Sequence, residues 1–566
     1  MTDSLGDVTG DVFRRRIDPI KRRRPVEITA TQEVQDALEL PLDPVEVAQE
    51  PVTVQTVPPH DGPHAPTVIV ALFAHAAHRD RVGRAELPAD GQLEHIASMT
   101  QLMPTKSSLP LMLSVSGARG IVGESMTPAV ATDFAAAFRS FALAARTGET
   151  SGEHRTVCLG RDTRPSSEML SAAAAAGLAG VGARVVDLGV AATPTIGVMV
   201  DELDAAGGMV ITASHNPVQW NGLKCITAGA MAPPPAETDE ILRRFRERDF
   251  DRAPPASLAG RIHDDRCHRV HVERVLAQVD VEPIRSASLR VVLDSNNGAG
   301  ATAGRMLLEA LGCEVVAVND APCGNFAHDP EPLQENLVQL ARVTAAENAA
   351  VGFGQDPDAD RLAIVDERGT YLGEEYTVVL AARRMLQTHG AGHIAVNLST
   401  SRMIDDLAAR HPGAVVHRTP VGEAHVVVEM KRCGALIGGE GNGGVILPSV
   451  CWIRDSLGAM ALVLALLADA RRPLSDLVAE MPRYVLIKHR IDLDARHDAA
   501  ALARRVTEHF AGANTSTLDG VRVDLDDGWV HLRASNTEPI LRVIAEAATQ
   551  QRARQLIDEV TAAAGL

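Results

Sequence analysis

The chain has no excess of positive charge, no paired-cysteine motif and no apolar run of membrane length. Its 73 acidic and 55 basic residues leave a formal charge of −18, which argues against a nucleic acid partner, because duplex binding needs an extended basic face. The seven cysteines (158, 225, 267, 313, 323, 433 and 451) are odd in number, scattered and never in a C-x-x-C pair. That pattern disfavours a disulfide framework and a zinc site, and fits a reducing cytoplasm. The longest apolar helical stretch, 457–468, is far shorter than the about 20 residues that span a bilayer, so it reads as a buried core helix and no membrane partner is expected. The opening residues MTDSLGDV lack a cationic segment followed by an apolar run, so no secretory signal is expected either. On such an acidic chain, an anionic small substrate has to be held by a local cluster of cations.

At 566 residues the chain is too long for one hydrophobic core, and three to five domains are expected. Residues 1–108 carry prolines, two basic runs (14–16 and 21–24) and little sustained periodicity, and read as a mostly disordered tail. From about residue 110, short β-branched runs alternate with Ala/Leu-rich helical stretches, the pattern of α/β layers. The theme repeats three times, and the last eighty or so residues read as a β-hairpin, with Asp527-Gly528 as its turn, before a final helix. The expected fold is therefore α/β, with three related α/β domains of mixed, largely parallel sheets (109–258, 259–369 and 370–484) and a smaller C-terminal α+β domain (485–566).

Three loops carry chemistry. Asp356-Pro357-Asp358-Ala359-Asp360-Arg361 places three carboxylates at a spacing of two, and crowded carboxylates with oxygen donors suit a hard divalent cation such as Mg2+. An EF-hand is excluded by Arg361 at the position where the turn needs Gly, and by flanks that read as strands. Thr212-Ala213-Ser214-His215-Asn216-Pro217 ends a strand, where open α/β sheets place their ligands. Adjacent Ser214 and His215 on extended chain are expected to point apart, and no G-x-S-x-G elbow is present. Arg533-Ala534-Ser535-Asn536-Thr537-Glu538-Pro539, followed by Arg542, offers many donors and few negative charges, which suits phosphate. A fourth segment, DSNNGAGATAG (294–304), leaves a dinucleotide-binding oxidoreductase open, with Asp320 available for the ribose.

Read in order, TASHNPVQWNGLK (212–224), GFGQDPDADR (352–361), GGEGNGG (438–444) and RASNTEP (533–539) resemble the loops of the α-D-phosphohexomutase superfamily. SVSGARGIVG (114–123) and GRDTRPSS (160–167) are similar to its opening segments, and the likeness covers about residues 110–566. The resemblance implies that Ser214 is a phosphoserine whose phosphate joins Asp356, Asp358 and Asp360 around one Mg2+. It implies that Arg119, Lys224 and Arg361 surround the phosphoryl group and that Glu440 and Asn442 meet the sugar hydroxyls. The distal phosphate would be gripped by Arg533, Ser535, Asn536 and Thr537, with Arg542 nearby.

GGEGNGGVIL and SVSGARGIVG look most like the phosphoglucosamine mutase branch, although the sugar loop lacks the Ser and His of many members and has Gly444 where the His would stand. The implied reaction interconverts glucosamine 6-phosphate and glucosamine 1-phosphate through a bisphosphorylated sugar. Phosphomannomutase or phosphoglucomutase activity is the alternative. With that His missing, Lys224 becomes the expected acid/base, its pKa depressed by cations such as Arg119, with His215 and His425 as other candidates. A small-molecule sugar phosphate is the expected partner, and the chain is expected to be a monomer or homodimer.

Overall fold

A β-branched strand followed by an Ala/Leu-rich helix can bury its apolar faces only by stacking, and the computed structural model shows this unit used three times. It describes residues 111–114, 117–144, 155–250, 252–492, 498–535 and 540–566. The expectation for the N-terminal tail, and those for Asn536 and Thr537, fall outside the described residues. The first sheet contains β1 (Met112–Ser114), β2 (Gly117–Ile121), β3 (Thr156–Arg161), β4 (Arg184–Val190), β5 (Gly207–Ile211), β6 (Trp220–Thr227) and β7 (Arg261–His263). They lie in the order β1-β2-β6-β5-β3-β4-β7. β7 pairs with β4, so the first sheet extends past the boundary expected at residue 258. The Pro-rich segment before β7 thus leads first to the edge of the first sheet, and the chain passes on from there towards the second sheet.

The second sheet, in the order β11-β10-β8-β9, is built from β8 (Arg290–Asp294), β9 (Glu314–Val318), β10 (Val351–Gln355) and β11 (Leu362–Asp366). The third, in the order β13-β12-β14-β15, is built from β12 (His393–Asn397), β13 (Val415–Thr419), β14 (Ile437–Glu440) and β15 (Gly444–Ile446). Three parallel strands and one antiparallel strand make up each of these two sheets. In all three α/β sheets an important loop occupies one topological position, where a parallel strand turns back into an antiparallel partner: β5 to β6, β10 to β11 and β14 to β15.

The fourth sheet is antiparallel, in the order β16-β20-β19-β18-β17, with β16 (Val485–Asp492), β17 (Asn514–Ser516), β18 (Val521–Leu525), β19 (Gly528–Ala534) and β20 (Ile540–Ala547). Leu525 pairs with Gly528, so the hairpin turns at Asp526-Asp527, one residue earlier than the sequence suggests. Gly528 serves instead as a strand residue where a Cβ would overlap the Glu546 carbonyl.

Helix Ser456–Ala470 is buried along nearly its whole length, as its all-round hydrophobicity requires. It packs against helices Glu375–His389, Cys267–Leu276, Val281–Ala287 and Gly300–Ala310. One apolar cluster therefore runs across the α/β domains, and smaller separate clusters lie beside it. Among the described residues, no helix is long and apolar enough to cross a membrane.

Candidate active site

The loop after β5 holds Ser214 in the left-handed region, at φ 49°, and the loop after β10 does the same with Ala359, at φ 54°. Non-glycine residues adopt this geometry at a cost of about 1–3 kcal/mol, so the surroundings must enforce it. At Ser214, Arg164 supplies that enforcement. Its guanidinium, 1% exposed, donates to the carbonyls of Ser214 and Asn216 (both 2.6 Å), Pro217 (2.7 Å) and Trp220 (3.1 Å). Asp162 orients it through Nε at 3.0 Å and accepts from the Thr212 hydroxyl at 2.7 Å.

The two loops meet at the Ser214 hydroxyl, which donates to Asp356 Oδ2 at 2.8 Å. Because the backbone at Ser214 is not extended, His215 folds back, and its Nδ1 lies 3.4 Å from Ser214 Oγ. The expectation that the two side chains point apart is thereby corrected. Burial, reinforced by Arg361 and Arg119, holds the His215 imidazole well below its usual pKa. Arg119 donates to Asn216 Oδ1 at 3.1 Å.

Asp356, Asp358 and Asp360 are all buried, and they form a group able to hold a metal ion. Burial and the Asp358 and Asp360 charges push the Asp356 carboxyl well above the normal range. Asp358 Oδ2 accepts from Lys224 Nζ (2.6 Å) and the Thr193 hydroxyl (2.6 Å). Asp360 Oδ2 accepts from Lys224 Nζ (2.9 Å) and Arg454 Nη2 (2.7 Å). Burial opposes ionisation of Asp360, yet Arg454, Lys224 and Arg361 overcome it and hold its pKa low. Oδ1 of both Asp358 and Asp360 is buried with no hydrogen-bond partner among the described residues. Converging all-oxygen donors with two buried orphan atoms fit a hard divalent cation.

Lys224 departs from expectation. Burial alone would lower its pKa, but Asp358 and Asp360 outweigh both burial and Arg119 and raise it. The lysine is held as a cation here.

The glycine turn before helix Gly300–Ala310 packs on the Asp loop. A Cβ at Gly298 would stand 2.7 Å from the Pro357 carbonyl, and one at Gly300 would stand 2.5 Å from Gln355 Oε1. Protein thus fills the face that a dinucleotide pyrophosphate would need, and Asp320 is ion-paired with Arg305.

In the third domain, Glu440 accepts from Asn397 Nδ2 (2.8 Å) and the Gly422 amide (3.0 Å) through Oε1, and from Arg454 Nη1 (2.8 Å) through Oε2. Asn442 Nδ2 stands 3.4 Å from the same carboxylate. Arg454 also meets Glu423 at 2.8 Å, so one guanidinium joins Asp360, Glu423 and Glu440. A Cβ on Gly444 would overlap Arg454 Cδ. The arginine therefore occupies the space of the side chain that the sugar loop lacks.

From the C-terminal domain, Arg533 reaches the cleft with its Nε on Asp519 Oδ2 at 2.8 Å, and that oxygen also accepts the Val421 amide at 3.0 Å. The cleft thus gathers Arg119, His215, Lys224, Asp360 and Arg361 from the first two domains, Glu440 and Asn442 from the third, and Arg533, Ser535 and Arg542 from the last. Ser214, Asp356 and Asp358 are buried beside it, whereas His425 does not line it. Arg164, Thr193, Asn397, Glu423 and Arg454 escaped sequence reading. Arg164 lies within GRDTRPSS (160–167), where nothing set it apart from its neighbours, and Arg454 stood out as a charge between apolar Ile453 and the helix-capping Asp455.

Four family descriptions match the chain in order. They are Phosphoglucomutase/phosphomannomutase, alpha/beta/alpha domain I (112–252), domain II (269–369) and domain III (373–484), and the C-terminal domain of the same name (490–563). A "Probable phosphoglucosamine mutase" of Methanopyrus kandleri is 38% identical over 451 residues, covering 78% of this chain and 95% of its own. A "Phosphoglucomutase/phosphomannomutase" of Thermococcus kodakarensis is 37% identical over 445 residues, covering 78% and 96%. Among solved structures, a phosphoglucomutase/phosphomannomutase family protein from Burkholderia thailandensis superposes with a TM-score of 0.70 at 26% identity, covering 80% of this chain and 97% of its own.

Proposed function

Since the chain belongs to the phosphoglucomutase/phosphomannomutase family of the α-D-phosphohexomutase superfamily, we propose that its phosphohexomutase activity interconverts glucosamine 6-phosphate and glucosamine 1-phosphate, with Ser214 carrying the transferable phosphoryl group. The observation that supports this most is the buried Ser214 hydroxyl at 2.8 Å from Asp356, inside a ring of cations from two domains.

In this reading the P–O bond to Ser214 breaks as a bond to the sugar hydroxyl forms. The hydroxyl proton leaves through a base, and Ser214 Oγ regains one. The bisphosphorylated sugar turns, and the reverse transfer restores phosphoserine. Asp356, Asp358 and Asp360, with the Ser214 phosphate, would hold one Mg2+, which supplies charge neutralisation on the transferring oxygens. Arg119 and Arg361 orient the phosphoryl group, Lys224, held as a cation, is assigned the proton that Ser214 Oγ regains, and Glu440 and Asn442 meet the sugar hydroxyls. Arg533, Ser535 and Arg542, with Asn536 and Thr537, hold the distal phosphate.

The glucosamine assignment draws on the names of relatives such as the Methanopyrus kandleri protein, and the similarly close Thermococcus kodakarensis protein makes glucose and mannose phosphates the second reading. The test compares the 1-phosphates of glucosamine, glucose and mannose, with bisphosphate activator and Mg2+. The highest kcat/KM is expected for glucosamine, and a clear preference for glucose or mannose overturns that assignment. Ser214→Ala should abolish turnover and remove the phosphorylated species from the intact mass; retained activity would remove Ser214 from the mechanism.

A further inference from the structure

Away from the cleft, the third α/β domain brings two imidazoles and a thiol together. His393 opens β12 and His417 lies on the parallel neighbour β13, where the register pairs Ala395 with His417 and His393 with Val415. Alternate strand residues share a face, so both rings belong to one face of the sheet. Helix Glu423–Cys433 covers that face and ends in Cys433. Ligand atoms of His393, His417 and Cys433 lie within 4.8 Å of one another, and all three residues are partly buried.

The hydrogen bonding already selects a tautomer. His417 Nδ1 stands 2.9 Å from Glu429 Oε1, one helical turn before Cys433. Arg432 clamps both oxygens of that carboxylate, at 2.6 and 2.7 Å. An ionised carboxylate only accepts, so His417 carries its proton on Nδ1 and turns the Nε2 lone pair towards His393 Nδ1, 2.8 Å away. A carboxylate behind an imidazole is how proteins orient a metal-binding histidine.

We propose that His393, His417 and Cys433 form a second metal site, selective for a zinc-class divalent cation and distinct from the acidic loop. Two imidazole nitrogens and a thiolate suit Zn2+ and are poor ligands for Mg2+. With metal–ligand bonds of about 2.0–2.3 Å, tetrahedral neighbours stand about 3.3–3.6 Å apart, so the ring nitrogens separate slightly and the thiol closes in. Binding breaks the Cys433 S–H bond and moves the His393 proton from Nδ1 to Nε2, so one proton is released per cation. Water takes the fourth position. The cation ties the end of this helix to two strands, and the same helix begins at Glu423, the partner of Arg454 in the cleft. The three residues are remote in sequence and form no C-x-x-C pair, which is why cysteine spacing argued against such a site.

Co2+ is the probe, added to reduced full-length protein with Mg2+ in excess so that the acidic loop is saturated. A thiolate-to-cobalt charge-transfer band in the near ultraviolet should grow to one equivalent and be discharged by Zn2+. Cys433→Ser should abolish the band, and His417→Gln should weaken Co2+ binding by about 10-fold or more. Circular dichroism verifies the fold of each variant, and Cys433→Ser alone decides the matter if His417→Gln does not fold. A band that survives in Cys433→Ser, or wild-type protein that gives none, overturns the site.

Discussion

Arg454 is 9% exposed and its single guanidinium pairs with three carboxylates at once in the wall of the cleft. Removing one partner of a buried ion pair typically costs about 3–5 kcal/mol, because the other charge is left uncompensated. Arg454→Met should therefore lower stability by about that amount in denaturant titrations and reduce kcat/KM by about 10²-fold or more; a near-wild-type variant would mean that the network is ornamental. Lys224 raises a different question, since it is held as a cation by Asp358 and Asp360. Arginine keeps that charge but cannot release a proton near neutral pH. If Lys224 transfers the proton, Lys224→Arg should lose about 10²–10⁴-fold in kcat, and retention of more than about a tenth of the turnover would assign the proton elsewhere. Ser214, the three aspartates and the cations Arg119, Lys224, Arg361 and Arg533 were legible as candidates because their loops carry local motifs. Arg454, Glu423 and Asn397 were not, because each acts through partners contributed by other loops, and a single charge beside a helix cap reveals nothing of those partners.

At the scale of elements, the repeated unit was legible from periodicity, since alternating β-branched and Ala-rich stretches specify where strands and helices lie. Pairing was not. Whether Arg261–His263 joins the first or second sheet depends on an edge, β4, that lies about seventy residues earlier in the chain. The docking of β19 on the third domain is likewise invisible in sequence. His531, fully buried, donates from Nε2 to the Asp519 carbonyl (2.7 Å) and accepts at Nδ1 from the Ser399 hydroxyl (3.0 Å). Burial, aided by the Arg533 and Arg522 charges over the opposing pull of Asp519, lowers its pKa to about 4. The unfolded chain, with a histidine pKa near 6.5, binds more protons than the folded one between those values. His531 therefore contributes full stability above about pH 6.5 and loses it as pH falls towards 4, by about 3 kcal/mol in all. His531→Gln, which retains an N–H for Asp519, should show a shallower fall in melting temperature between pH 7 and 4.5 than the wild type. Parallel curves would show that His531 does not report on this interface.

At the scale of the whole molecule, the proposed mechanism requires an acidic chain to bind an anionic sugar phosphate and to keep water from a phosphorylated Ser214. The net charge of −18 is spread over the chain, whereas the cleft gathers Arg119, Lys224, Arg361, Arg454 and Arg533. Screening over about 8–10 Å leaves the near cations dominant. One apolar cluster runs across the three α/β domains, so their loops are fixed relative to one another. The C-terminal domain has its own core and meets the third domain through polar contacts, which include Val421 to Asp519, the Arg402 amide to Glu546 and Arg522 to the Leu398 carbonyl. Polar interfaces of this kind exchange partners readily, so this domain is the one expected to open and close. Arg533 sits on the closing side. Its Nε is anchored by Asp519, while its buried Nη2 has no hydrogen-bond partner among the described residues, a donor that the proposed mechanism would give to the substrate's distal phosphate. A charge-assisted hydrogen bond contributes about 1.5–3 kcal/mol, so Arg533→Ala should raise KM by about 10- to 150-fold. Weaker closure should also admit water and increase phosphate release relative to mutase turnover, measured on the same sample. A variant with unchanged KM and an unchanged ratio of hydrolysis to transfer would show that the grip on the distal phosphate lies elsewhere in the cleft.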